Sequence, residues 1–423
     1  MYQSERDIIL QNYQNARKTY AQYGVDTDLA IKEFRSIPIA IHNWSDDDVS
    51  GFEKNGNVPS ENTVTGNYPG KARNGDEIRQ DLEQAIRLSP CFHKLNLQSF
   101  YAEPSQPKER NTYDTEDYRT WIDWAKKHHM GIDFNVSYFT SPHMKDGCSL
   151  ASPDAETRKY WIQAGIQSRR IAEDIGKELD IPCINCLWVP DGTKDMTADR
   201  AGYRARLIDS LDQIYEEPHD HRYMRDVMEG KVFSIGKECF TVGSHDFYIA
   251  YAASRHLGIT FDTGHFHPNE KYYDKITAVY PFVDFIMLHL SRGVHWDSDH
   301  CLIQDDGLKN TMLEIKRAGL FGKNIEMGLD YFDATKNRVT QWIIGLRAAG
   351  KEMLFALLEP TSLIREAEYA GNGARALALL DECNNLPCNA VWDYLCMTDG
   401  KPIGMEWIDE MDQYEKDVQM KRS

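Results

Sequence analysis

The chain has 423 residues, and 48 Lys+Arg against 66 Asp+Glu leave a formal charge of −18. With 41% hydrophobic and 27% charged residues it can bury a large core, which excludes wholesale disorder. The acidic balance, without a Lys/Arg-rich stripe, argues against nucleic acid or an anionic membrane as partner and leaves divalent cations and neutral small molecules.

No stretch reaches about 18 consecutive apolar residues, the length a membrane-spanning helix needs. The nine cysteines are an odd number, and the start MYQSERDIILQNYQ lacks a cationic stretch followed by an apolar core. A reduced, cytoplasmic protein is therefore expected.

In chain order, the residues before Ser36 read as helix, with IILQNYQNARKTYAQYG ending at Gly24. Eight short apolar, β-rich runs follow, at 36–44, 94–101, 130–137, 183–190, 222–233, 257–265, 283–292 and 324–332. Between them, segments such as DEIRQDLEQAIRLS, EDYRTWIDWAKKHH and DAETRKYWIQAGIQSRRIAEDIGKELD space apolar residues three and four apart, as amphipathic helices do. Thr115 and Ser152 stand where N-caps are expected. Cys183 and Cys186 form a CxxC inside a strand, where residues three apart face opposite ways, so they read as structural thiols rather than a metal knuckle.

After about residue 347 the strands stop. Five helical segments follow, punctuated at Pro360, Gly371, Pro387 and Gly400. Strand and helix alternating eight times predict an α/β fold, a (β/α)8 TIM barrel, with a doubly wound sheet as the rival of the same alternation. The expected division is an N-terminal helical segment (1–35), a catalytic barrel (36–345) and a C-terminal helical extension (346–423). Leu354, Phe355, Leu357, Leu358, Leu377, Leu379, Trp392, Leu395 and Trp407 give that extension apolar faces that need cover from the barrel or another subunit.

Reacting groups in such barrels sit at the carboxyl ends of strands. The fifth run offers Glu229 and Lys231, two apart and so on one face. The sixth ends FDTGHFHP, with Asp262 and His265 around Gly264. The seventh holds His289, followed by WDSDH with Asp297 and Asp299. The eighth gives Asp330 and Asp333.

Singly, these residues are as well explained by a surface ion pair, a satisfied core histidine and solvated turns. Together, Glu229, Asp262, Asp297, Asp299 and Asp330 with His265 and His289 would repel one another unless a cation joined them. Oxygen and nitrogen donors without aligned thiolates suit Mn, Mg, Co or Zn, and seven donors exceed one tetrahedral site, which predicts two divalent ions. Trp44, Phe139 and Trp188 at early strand ends are candidate walls for the apolar face of a sugar. No GxGxxG, P-loop, GxSxG or HExxH is present.

The motifs HNWSDDDVSGFE, TGNYPGKARN, LNL, WVPDGTKDMTADR, TVGS, FDTGHFHP, HLSR, WDSDH, GLDYFDA, LLEPT and GMEW resemble the L-rhamnose isomerase family along nearly the whole chain. The resemblance implies a metal-dependent aldose–ketose isomerase, interconverting L-rhamnose and L-rhamnulose on a TIM barrel with two divalent ions, typically Mn, and assembled as a homotetramer. It implies that Glu229, Asp262, His289 and Asp330 hold a structural ion, and that His265, Asp297 and Asp299 hold a catalytic one. Lys231, Asp299 and His265 would be catalytic. Trp44, Gln98, Phe139, Trp188 and Lys231 would contact substrate, as would Glu229 and Asp330.

One position departs from the family. The chain reads LNLQSFY, with Gln98 where members carry His, and glutamine cannot act as a base near neutral pH. Apart from the resemblance, the residues also accommodate another metal-dependent sugar isomerase or epimerase on this barrel, or a non-catalytic sugar- or metal-binding protein. A barrel phosphodiesterase is disfavoured because no Lys/Arg cluster awaits a phosphate.

Overall fold

A computed structural model describes residues 3–47, 49–53, 66–91, 94–139, 141–233 and 236–422. The eight apolar runs become eight strands: β1 (Ile39–His42), β2 (Lys94–Gln98), β3 (Gly131–Ser137), β4 (Cys183–Trp188), β5 (Met224–Glu229), β6 (Gly258–Asp262), β7 (Ile286–Leu290) and β8 (Ile325–Leu329). Every neighbouring pair is parallel, and β1 pairs with both β2 and β8, so the sheet closes into a barrel and the doubly wound alternative falls. The strands are almost wholly buried because helices cover the outside and side chains fill the inside. Inside, Ile184, Cys186, Val227, Phe285 and Met287 form a small apolar plug.

Fourteen α-helices are described: α1 (Gln3–Gln22), α2 (Thr27–Phe34), α3 (Gly75–Leu88), α4 (Arg119–Lys127), α5 (Ala155–Leu179), α6 (Arg200–Ile214) and α7 (His245–Arg255), then α8 (Asp274–Val279), α9 (Asp306–Ala318), α10 (Arg338–Leu357), α11 (Thr361–Tyr369), α12 (Gly373–Glu382), α13 (Cys388–Thr398) and α14 (Glu406–Asp417). Among the described residues, no helix is long and apolar enough to cross a membrane. The caps differ from expectation. Asp114, not Thr115, caps the 3₁₀ turn before α4, and Asp154, not Ser152, caps α5, accepting from the Thr157 N–H at 2.9 Å. In each case a carboxylate one or two residues away is the stronger acceptor for a helix N-terminus.

The expected junction at 345/346 falls inside α10, so an unbroken helix joins the barrel to the terminal helices. Gly345 and Gly350 lie within it because there is no room for a side chain. A Cβ would stand 2.0 Å from Tyr331 Oη at Gly345 and 2.1 Å from Cys91 Sγ at Gly350. Most of the extension's apolar residues are covered by the chain itself: Leu354, Leu357, Leu358, Trp392, Leu395 and Trp407 are buried, whereas Leu377 is 67% exposed.

The two terminal segments also meet. Tyr13 of α1 stacks on Tyr394 of α13 with centroids 3.8 Å apart, and Arg422 closes on Asp81 of α3 at 2.5 Å. Two short antiparallel ribbons decorate the barrel, Gly192–Thr193 with Phe240–Thr241 and Arg292–Val294 with Trp296–His300.

Candidate active site

The site is assembled by strands ending at one level. Glu229 is the last residue of β5, Asp262 the last of β6, His289 the fourth of β7, and Asp330 follows β8 directly. Asp262 and His289 are register partners, and the Asp330 N–H donates to Leu290 O at 3.1 Å, so backbone ladders set the spacing. One donor atom from each of Glu229, Asp262, His289 and Asp330 lies within 4.8 Å of the others. His289 Nδ1 is 2.9 Å from Glu229 Oε2 and 3.0 Å from Asp330 Oδ2. The structure thus brings together the four residues expected of the first ion.

Supporting contacts aim these groups. Asp262 Oδ1 accepts from the Gly264 N–H and from Ser291 Oγ, both at 2.7 Å, which turns Oδ2 toward His265. Gly264 serves close packing here rather than an unusual turn, since a Cβ would stand 2.4 Å from Ser291 Oγ. Gly230 is similar: a Cβ there would meet His245 Cα at 2.9 Å, so only glycine lets α7 approach between Glu229 and Lys231.

Burial pulls the Glu229 carboxyl upward, yet His289 and His265 outweigh it and hold the group well below the usual carboxylate range. Burial works against a charged His289, but Glu229 and Asp330 hold its proton far above the usual imidazole range. Three carboxylates converging on one buried point demand positive charge. With oxygen and nitrogen donors at that spacing, the set fits a divalent cation.

His265 adjoins this group, with Nδ1 2.9 Å from Glu229 Oε1 and Nε2 3.6 Å from Asp262 Oδ2. Asp297 and Asp299 fall in the extended segment Trp296–His300, but their side chains lie outside the described residues. Asp333 is not part of the cluster: it accepts from the Thr335 N–H at 2.9 Å and from Lys336 Nζ at 2.5 Å, closing a turn.

An aromatic wall adjoins the cluster. Phe139 packs edge-on against Phe100 at 5.7 Å and Trp188 at 5.2 Å, and Trp188 lies 6.3 Å from His265. Lys231, 7% exposed, holds Nζ 5.3 Å from the Trp188 ring centroid. Trp44 is buried against His42 at 5.0 Å, and among the described residues no ring contact joins it to Phe139 or Trp188. Gln98, at the end of β2, accepts from Ser137 Oγ at 3.1 Å.

Three interior residues were not anticipated. Cys186 directs Sγ to Glu229 Oε2 at 3.6 Å, Asn96 meets His289, and Asn135 meets Asn96. Burial pushes the Cys186 thiol well above its usual range, as expected of a structural thiol. The available signal was polar residues inside apolar strands, in phase with rim residues two positions on.

A closed parallel barrel that gathers carboxylates and an imidazole from four consecutive strand ends is a barrel protein equipped for divalent-cation chemistry at its catalytic face. The sequence model described as L-rhamnose isomerase (RhaA) matches residues 8–422. The chain is 44% identical over 411 residues to the L-rhamnose isomerase of Pectobacterium carotovorum subsp. carotovorum (strain PC1), covering 97% of this chain and 98% of that one. It is 42% identical over 414 residues to the L-rhamnose isomerase of Salmonella paratyphi B (strain ATCC BAA-1250 / SPB7), covering 98% and 99%. The chain belongs to the L-rhamnose isomerase family. Among solved structures it is similar to an L-ribulose 3-epimerase, with a TM-score of 0.46 at 9% identity over 79% of this chain and 98% of that one.

Proposed function

We propose that the chain is an aldose–ketose isomerase that interconverts L-rhamnose and L-rhamnulose by moving hydrogen between C2 and C1 of the open-chain sugar. The convergence of Glu229, Asp262, His289 and Asp330 within 4.8 Å carries the chemistry. The choice of sugar rests on the family and on the names of the 42–44% identical relatives.

On this reading those four residues hold one divalent ion, and His265, Asp297 and Asp299 hold a second. Mn2+ is the ion proposed, with Zn2+, Co2+ or Mg2+ as substitutes, because the donors are oxygen and nitrogen. A bound divalent cation supplies Lewis acidity, polarising the oxygens on C1 and C2.

The protein's own groups supply the rest. Lys231, poised over Trp188, donates a hydrogen bond to a sugar oxygen. Phe139 and Trp188 cover the apolar face of the sugar and exclude water, and Gln98 hydrogen-bonds a hydroxyl without taking its proton. The carboxylates at the rim are engaged with imidazoles, which favours an intramolecular hydride shift over proton abstraction by a free base.

The terminal helices are proposed to build a homotetramer in the cytoplasm, a reading supported by the exposed Tyr369 and Leu377 on α11 and α12. The test is ketose formation from L-rhamnose by chelator-treated protein with and without Mn2+. Metal-dependent L-rhamnulose without solvent tritium in the product is expected. No metal-dependent product overturns the activity, and tritium incorporation overturns the hydride route. A comparison with L-mannose, L-lyxose and D-allose measures breadth.

A further inference from the structure

We propose that Asn96, backed by Asn135, is a positioning residue that holds His289 in the tautomer and ring orientation a cation ligand requires. The inference rests on the reading of His289 as a ligand.

The two nitrogens of His289 face different surroundings. Nδ1 looks into the carboxylates, 2.9 Å from Glu229 Oε2 and 3.0 Å from Asp330 Oδ2. Nε2 looks across the barrel interior, 3.4 Å from the Asn96 side-chain amide. The ligating nitrogen is therefore Nδ1. A neutral imidazole with its lone pair on Nδ1 carries its proton on Nε2, and that proton needs an acceptor. Asn96 is 0% exposed and His289 1%, so the acceptor at hand is the carboxamide, and a buried Nε2–H left unpaired is destabilising.

The amide can meet this need without moving its backbone. In the structure Asn135 Nδ2 donates to Asn96 Oδ1 at 2.9 Å, and Asn135 Oδ1 has no hydrogen-bond partner among the described residues. Oxygen and nitrogen of a carboxamide exchange places on a half-turn, and the surrounding network decides which way it points. Turning both amides keeps both contacts. Asn96 Oδ1 then accepts from His289 Nε2–H, and Asn135 Oδ1 accepts from Asn96 Nδ2, which leaves the open valence on the Asn135 amino group.

The residue type is informative. An asparagine can serve either histidine tautomer without adding charge. An aspartate would place a further carboxylate beneath Glu229, Asp262 and Asp330, and a leucine would serve neither tautomer. β2 and β3 lie on the far side of the barrel from β7, so the two amides brace the imidazole from across the interior rather than along its own strand.

The test is Mn2+ binding to chelator-treated protein, read by calorimetry and by the Mn2+ spin-resonance signal, alongside the thermal midpoint of the metal-free protein. N96L is expected to weaken Mn2+ binding by about 10- to 100-fold, the range for partners that orient a ligand. N135L should act in the same direction but less, and N96L/N135L should be no worse than N96L, because the two residues act in series. N96D, which keeps an acceptor facing Nε2–H, should recover binding relative to N96L. A lowered midpoint with unchanged Mn2+ affinity in both N96L and N135L overturns the proposal. H289Q separates the two levels: if H289Q loses Mn2+ and N96L does not, the positioning role alone fails, and if H289Q binds normally, the ligand reading fails with it.

Discussion

Arg110 closes both arms of its guanidinium on Glu53, with Nε and Nη2 each 2.8 Å from a carboxylate oxygen, while Nη1 donates to the Phe139 carbonyl at 2.9 Å. One side chain thus ties the segment after β1 to the residue that carries part of the aromatic wall. R110M leaves Glu53 without this partner and frees the Phe139 backbone. It should cost about 3 kcal/mol in urea unfolding, toward the lower end of values for breaking a buried pair. Because positioning of the wall is affected rather than the donors, KM for L-rhamnose should rise more than kcat falls. Steady-state kinetics showing the reverse would sink this account.

Lys94 marks the opposite end of the barrel. At the start of β2 its Nζ lies 2.7 Å from both Asp133 and Glu326, with its own side chain 3% exposed. Replacing it by methionine strands two carboxylates, so K94M should lose about 3–5 kcal/mol in denaturant melts. Far from the strand ends that carry the donors, it should leave kcat/KM unchanged at temperatures where the variant is folded.

Asp330 and Asp333 stand three residues apart with opposite fates. D330N removes a charged donor from the cluster and should reduce kcat/KM by more than the roughly 10- to 100-fold typical of groups that only orient ligands. D333N keeps an Oδ1 acceptor for the Thr335 N–H and loses only the pairing with Lys336, worth about 1 kcal/mol of stability, and should retain activity. Equal loss of activity in both variants would refute the placement of Asp333 in a turn.

Acid stability has an identifiable contributor away from the site. Burial raises the Glu173 carboxyl, but the Asp220 N–H, Lys177 and His219 more than offset it and bring the group down to about 2. A carboxyl depressed in the native state contributes fully above its unfolded value of about 4.3, and the contribution disappears as the pH falls through the native value. The melting temperature of the wild type should therefore fall more steeply between pH 5 and pH 2 than that of E173Q, by differential scanning calorimetry.

Much of this was readable in the chain because local chemistry and the final fold agree. All eight strands coincide with β-branched and apolar runs bounded by turn residues, and Glu229, Asp262, His289 and Asp330 announce themselves as polar residues at the ends of such runs. What was not readable depends on distant partners. Asn96 and Asn135 look like ordinary strand residues until β2, β3 and β7 face one another across the interior. The caps slipped by one or two residues because Ser, Thr and Asp crowd the same turn. That α10 runs unbroken through 345/346 was not readable either, because Gly345 and Gly350 owe their place to close packing against Tyr331 and Cys91.

The four donors hang from four strands that are joined edge to edge, and no unfolded chain would hold them together. Any ion they bind is bound by the native barrel alone, so its binding free energy adds to the folding equilibrium: a hundredfold excess over the dissociation constant contributes about 2.7 kcal/mol. The ion then acts as a rivet through the second half of the barrel as well as a reagent. A melting temperature for this protein has meaning only beside the free cation concentration at which it was taken.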